Sequence, residues 1–146
     1  MEQRLSIITL GVENLETMKK FYMEKFGWTI EAQAKDIAFF KLNGLLFGLY
    51  GRKDLAAFHG QSPEGSGFKP YTLAYMVSSK EEVQRIYKDF LERRIKIIKE
   101  PVEPPFGGYY FLATDPEENI WEVAVNPFMQ LDEKGNVLSH QNIDNL

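Results

Sequence analysis

Glu122 is the residue whose type and placement best suit chemistry. It lies in the apolar run Ile120–Val125. Strand alternation sends Ile120, Glu122 and Ala124 to one face and Trp121, Val123 and Val125 to the other. The second set is bulky and apolar and faces a packed layer, so the carboxylate faces away from it. A carboxylate in that position can act as a general acid or base, or anchor a hydroxyl, amine or cationic ligand. The plainer reading is a carboxylate paired with a nearby Lys or Arg, or wet at the mouth of a sheet, and it carries equal weight. Little else competes. The chain has no cysteine, which excludes disulfides, thiolate metal sites and thiol nucleophiles. Its two histidines, His59 and His140, fall in a connecting loop and in the C-terminal tail. No Ser–His or similar nucleophile–base pair is evident. Phe106-Gly107-Gly108-Tyr109-Tyr110 is a loop entering a strand whose glycines permit positive φ. No Gly-Lys-Ser/Thr follows and no helix begins there, so it is no phosphate loop.

The elements that must position Glu122 follow from period. Leu5 to Val12 is a short apolar strand. Asn14 caps a helix, with Leu15, Met18, Tyr22 and Phe26 on one face and Gly27 placed to end it, giving a helix over 15–26. Strands are expected at 28–33, 37–42 and 45–50, with Asn43-Gly44 as a hairpin turn between the last two. Residues 51–70 contain four Gly and two Pro and read as a connection, with a helical turn around 54–58. The order then repeats: a strand over 71–77, a capping box at Ser79-Lys80-Glu81-Glu82, and a helix over 80–93 with Val83, Ile86, Tyr87, Phe90 and Leu91 on its apolar face. Strands follow at 95–98, 108–113 and 120–125, the last two joined by a turn at Asp115-Pro116-Glu117-Glu118-Asn119. Adding 65 carries Thr9 to Ala74, Val12 to Val77 and Tyr22 to Tyr87. The expected organisation is a first βαβββ module (1–50), a connecting loop (51–70), a second βαβββ module (71–128) and a C-terminal tail (129–146) that packs through Pro127-Phe128-Met129 before fraying. Such a unit cannot bury its own sheet face, which argues for packing of the copies. Trp28, Phe21, Phe90 and Trp121 fall on helix or helix-facing positions and are expected in the core.

Composition bounds the class. With 146 residues, 44% apolar and 14% aromatic, the chain can build a sizeable core. A net charge of -4 with scattered Lys and Arg gives no basic stripe and argues against nucleic acid. No apolar run approaches the ~20 residues of a membrane span. Met1-Glu2-Gln3-Arg4 leads straight into a strand, so no signal peptide is expected and the cytoplasm is the default compartment.

Two stretches carry a family resemblance. Residues 7–15, Ile7-Ile8-Thr9-Leu10-Gly11-Val12-Glu13-Asn14-Leu15, with Phe21-Tyr22 and Phe26-Gly27-Trp28, resemble the opening of vicinal-oxygen-chelate proteins, the glyoxalase, bleomycin-resistance and extradiol-dioxygenase superfamily. Residues 110–123 resemble their terminal hairpin, with Glu117-Glu118 in place of a common Asp-Gly. The resemblance covers roughly residues 4 to 128. It implies an α+β fold of two βαβββ modules with curved mixed sheets around a shared cleft, and a divalent metal held there by four ligands. At the matching positions stand Ile7, Gly48, Thr72 and Glu122. Ile and Gly side chains have no donor atom and neutral Thr is a poor ligand. One carboxylate cannot hold a catalytic ion, so a divergent member without metal or other cofactor is expected.

Parity then places Ile7 and Thr9, Gly48 and Tyr50, and Thr72, Ala74 and Met76 on the cleft face with Glu122. Gly48 and Ala74 leave room, and Tyr50 and Thr72 offer hydroxyls. An apolar cavity with a few polar groups suits a small-molecule ligand. The alternative is a cleft collapsed into core. Three functions remain open: a small-molecule binder without catalytic metal, such as a sequestering protein; a metal-independent lyase or isomerase with Glu122 as acid or base; and a structural or interaction module. A homodimer is expected, partly because the resemblance implies it and partly because curved sheets leave edges for a partner to cover. Glu122 is expected near Ile7, Gly48 and Thr72, with its pKa raised by burial.

Overall fold

The computed structural model describes residues 3–143. Met1 and Glu2, part of the segment from which no leader is expected, and the last three residues of the 129–146 tail lie outside the described residues. The chain divides into two compact units, Met1–Phe68 and Lys69–Leu146.

The first unit runs β1 (Ile7–Val12), α1 (Leu15–Glu24), β2 (Ile30–Gln33), β3 (Ile37–Lys41), β4 (Leu46–Gly51) and α2 (Arg52–His59). Its curved sheet has the order β1-β4-β3-β2, parallel between β1 and β4 and antiparallel elsewhere. Asn14 caps α1, its side chain accepting from the Thr17 amide. Met18 and Tyr22 of α1 are buried with Leu10, Val12, Ala38, Phe40, Phe47 and Leu49, the inward alternates of three strands. Burying side chains of this size stabilises by roughly 1.5–3 kcal/mol each. The strand expected from Trp28 starts at Ile30 instead, because the Trp28 indole stacks on the Tyr22 ring, centroids 5.2 Å apart, and leaves the ladder. The connecting segment holds a full helix, α2, rather than one turn. Gly60 closes it in the left-handed conformation, φ 65°, and Arg52 holds the following loop by donating to the carbonyls of Pro63 and Gly65.

The second unit repeats the plan: β5 (Leu73–Met76), α3 (Lys80–Glu92), β6 (Lys96–Val102), β7 (Tyr109–Thr114) and β8 (Ile120–Val125). The sheet order is β5-β8-β7-β6, again with one parallel pair, β5 with β8. Ser79 caps α3 through the Glu82 amide, and the Glu82 carboxylate reaches back to the Ser78 amide. Val83, Ile86 and Phe90 of α3 are buried with Phe111, Ala113, Trp121 and Val123. Residues 129–140 hold regular structure not expected of the tail, and 141–143 follow without any. The structured part is an antiparallel hairpin, β9 (Met129–Leu131) with β10 (Val137–His140).

That hairpin reuses the β7–β8 turn. In Asp115-Pro116-Glu117-Glu118-Asn119 the Asp115 carboxylate accepts from the amides of Glu117 and Asn119 and from the Asn119 side chain. In Asp132-Glu133-Lys134-Gly135-Asn136 the Asp132 carboxylate accepts from the amides of Lys134 and Asn136 and from the Asn136 side chain. The fourth place is left-handed in both, filled by Glu118 (φ 62°) and Gly135 (φ 80°). Among the described residues no helix is long and apolar enough to cross a membrane.

Candidate functional site

The register of the two sheets makes the repeat explicit. Thr9 of β1 pairs with Gly48 of β4, and Ala74 of β5 pairs with Glu122 of β8. Gly48 therefore holds in the first sheet the place that Glu122 holds in the second. Cross-strand partners share a face. In the second unit Lys99, Leu112, Glu122 and Ala74 form one row across the sheet, and Tyr110, Ala124 and Met76 belong to the next. This face is opposite to that of Phe111, Ala113, Trp121 and Val123, which α3 covers.

Glu122 is half-buried. Its neighbours along the row are a leucine and an alanine, and among the described residues its carboxylate has no hydrogen-bond or ion-pair partner. Burial raises its pKa above the ordinary carboxylate range, with no neighbouring charge contributing. Two residues from Leu112 along β7 on either side lie Tyr110 and Thr114. The Thr114 hydroxyl is buried and has no partner among the described residues. The Lys99 ammonium donates to the Tyr110 hydroxyl at 2.5 Å and lies 4.9 Å from the ring centroid. The sequence reading missed Lys99, because bulges in the β6–β7 register hide which residues of β6 face the same way as Glu122, and it did not single out Tyr110 and Thr114 on β7.

In the first unit the corresponding face is different. A Cβ on Gly48 would stand 2.9 Å from the Thr9 hydroxyl oxygen and 3.0 Å from a Phe39 ring carbon. The expectation that Gly48 leaves room is corrected: Phe39 and Thr9 already fill it. Tyr50 is engaged as well. Partial burial, together with the nearby carboxylates of Asp36 and Asp54, raises its pKa. Ile7 is exposed at the start of β1. Thr72 precedes β5 by one residue and is exposed, because β5 starts at Leu73 rather than at residue 71. Ala74 is exposed and Met76 partly buried on the Glu122 face. The structure thus groups Thr9 with Gly48, and Ala74 and Met76 with Glu122, in different units.

The donor set does not fit a divalent catalytic ion. Ile7 and Gly48 offer no side-chain donor, the Thr72 hydroxyl is exposed, and among the described residues no three His, Cys, Asp or Glu side chains converge. His59 ends α2 and His140 lies on β10, both exposed. Two surface grooves lie elsewhere. One of about 530 Å³ beside α3 is lined by residues including Lys80, Gln84, Arg85 and Tyr109, and one of about 300 Å³ lies beside α1.

The sequence model of the Glyoxalase/Bleomycin resistance protein/Dioxygenase superfamily matches residues 4–123. Among solved structures, a glyoxalase-related enzyme from Fulvimarina pelagi is 28% identical with a TM-score of 0.83, over 95% of this chain and 99% of that one. A glyoxalase/bleomycin resistance protein/dioxygenase from Nocardioides is 20% identical with a TM-score of 0.75, over 86% and 84%. A lactoylglutathione lyase from Agrobacterium tumefaciens is 20% identical with a TM-score of 0.70, over 86% and 96%. No protein of curated function matches the chain.

Proposed function

Because the chain belongs to the Glyoxalase/Bleomycin resistance protein/Dioxygenase superfamily, we propose that it keeps that fold's use as a small-molecule receptor and dispenses with the catalytic metal. The ligand sits on the Glu122 face of the second sheet, and the protein sequesters it. One observation carries this reading: Glu122 is a half-buried carboxylate that has no partner among the described residues and is set beside apolar ones. Desolvating such a group is costly unless something pairs with it. A ligand that brings a hydroxyl or amine to it recovers that cost, and Leu112, Ala124, Met76 and Ala74 supply apolar contact. The first sheet contributes no comparable group, since Phe39 covers the equivalent place. Amide chemical-shift mapping with a fragment library tests the proposal. Binders should perturb β5, β7 and β8, and hits confined to the grooves beside the helices would overturn it.

A second reading has one observation in its favour. The upward shift of Glu122 moves it toward the range where a carboxyl can exchange a proton with substrate near neutral pH. In that reading the protein is a metal-independent lyase or isomerase with Glu122 as acid or base. Turnover that survives a chelator and is lost in Glu122→Gln would select it over sequestration. We further propose a homodimer. Edge strands β1 and β5 carry exposed Ile7 and Tyr75, with Leu5 and Tyr71 beside them, and charged residues that would discourage pairing are absent from β1 and β5. Light scattering that returns the 16.9 kDa monomer mass at every accessible concentration would refute it.

A further inference from the structure

The chemical class of the ligand follows from what shares the face with Glu122, if the reading above holds. We infer that the ligand is a small organic acid that also carries an ammonium or hydroxyl group, with its carboxylate held by Lys99 and Tyr110 and its donor group by Glu122. Lys99, Leu112 and Glu122 stand in one row on three adjacent strands. Adjacent strands are ~4.8 Å apart, so the backbones of Lys99 and Glu122 are about 10 Å apart. The lysine leans along the sheet onto Tyr110, a neighbour of Leu112 on β7.

The two ends of this row are complementary to opposite groups. Among the described residues Lys99 makes no ion pair, and its one hydrogen bond donates to the Tyr110 oxygen. The phenol keeps its own proton to donate. An ammonium and a hydroxyl donor together form a site for an anionic oxygen. At the other end, among the described residues, nothing donates to Glu122. The two charged side chains do not neutralise each other, because Lys99 is turned toward Tyr110 and Leu112 stands between them in the row. A ligand with an acid at one end, a donor at the other and hydrocarbon between would complete both ends and lie over Leu112. Allowing for the reach of the side chains, its two polar groups are roughly 5–8 Å apart, the length of a four- or five-methylene chain.

The experiment uses four probes: 5-aminopentanoate, 6-aminohexanoate, pentanoate and pentylamine. Binding is measured by ligand-observed saturation-transfer NMR and calorimetry on wild type, Lys99→Met, Tyr110→Phe and Glu122→Gln, each checked for an unchanged fold by circular dichroism. Lys99 is exposed, so its variant is expected to fold. At least one amino acid should bind tenfold or more tightly than both pentanoate and pentylamine. Lys99→Met and Tyr110→Phe should reduce it to the level of pentylamine and leave pentylamine itself unchanged. Glu122→Gln should reduce it to the level of pentanoate. If pentylamine binds as tightly as the amino acids through Glu122, and Lys99→Met changes nothing, the acid end is wrong while the receptor reading stands. If pentanoate binds as tightly as the amino acids, the donor end is wrong. If none of the four binds while the fragment library still perturbs β5, β7 and β8, the amino-acid class falls and the receptor reading stands; if the library also finds nothing on that face, the reading falls with it.

Discussion

Replacing Asp115 with Ala removes the acceptor around which the β7–β8 turn is built. Asp115 is 2% exposed, and its carboxylate accepts from two backbone amides at 3.0 and 2.9 Å and from the Asn119 side chain at 2.7 Å. Asn119, equally buried, in turn accepts from the Lys69 ammonium and the Tyr71 hydroxyl, which tie the approach to β5 onto the turn. A hydrogen bond to a charged group contributes about 1.5–3 kcal/mol net, but three bonds to one carboxylate are not additive. Part of the loss is recovered when water enters the turn. The expected cost is about 3–4 kcal/mol, the range for breaking a buried network. For a chain of this size that lowers the melting temperature by about 10 °C. The sister turn supplies the control. Asp132 makes the same three bonds, but its hairpin is exposed at the end of the chain, so Asp132→Ala should cost less than about 1 kcal/mol and loosen only β9 and β10. Urea titration measures the global cost and amide hydrogen exchange its extent. A cost below about 1 kcal/mol for Asp115→Ala, or equal costs for the two variants, would refute the claim that burial and the Lys69 and Tyr71 bonds separate two turns whose aspartates share the same three bonds.

Glu118→Gly should stabilise slightly, by about 0.5 kcal/mol. It relieves about 1–2 kcal/mol of left-handed strain, which is largely offset by the entropy of glycine and by loss of the exposed contact to Lys96; a lowered urea midpoint would contradict this. Gly48→Ala should destabilise by about 1–2 kcal/mol because its Cβ meets Thr9 and Phe39, and pairing it with Phe39→Leu should recover most of the loss in the same titration. The Glu122 prediction concerns pH. Burial raises its folded pKa above the unfolded value, so its favourable contribution is complete below the unfolded pKa and is lost as pH rises through the folded one. Glu122→Gln should therefore match or exceed wild type in urea near pH 7, with the advantage vanishing toward acid pH. Clear destabilisation of the Gln variant near pH 7 would point to a cationic partner instead.

The fold was readable because local signals agreed with one another. Asn14 and Ser79 cap α1 and α3 as their positions suggest, and the inward alternates of β4 and β8 are the bulky ones. Boundaries moved where tertiary contacts intervened, as at Trp28, which leaves the strand for the Tyr22 ring. The β9–β10 hairpin was missed because exposed strands lack the apolar alternation of buried ones, although Asp132 to Asn136 repeats the spacing of Asp115 to Asn119. At the site, parity placed Glu122 opposite the α3-covered face, but it could not reveal that Phe39 fills the space over Gly48. The Asn43-Gly44 turn does set Phe39 across from Gly48, but the lie of the Phe39 ring over the glycine is decided by packing, which the turn does not encode. Lys99 was hidden because β6 runs past the expected end at residue 98 and bulges interrupt its register with β7.

A thermal-shift screen of small acids, amines, alcohols and aromatic compounds, run in a chelator on wild type and Glu122→Gln side by side, tests the central claim most directly. Binding to the native state raises the melting temperature. At least one compound should do so for wild type with the chelator present and lose most of its effect on Glu122→Gln. Shifts that require an added divalent metal, or that persist unchanged in the Gln variant, would contradict a metal-free receptor centred on Glu122.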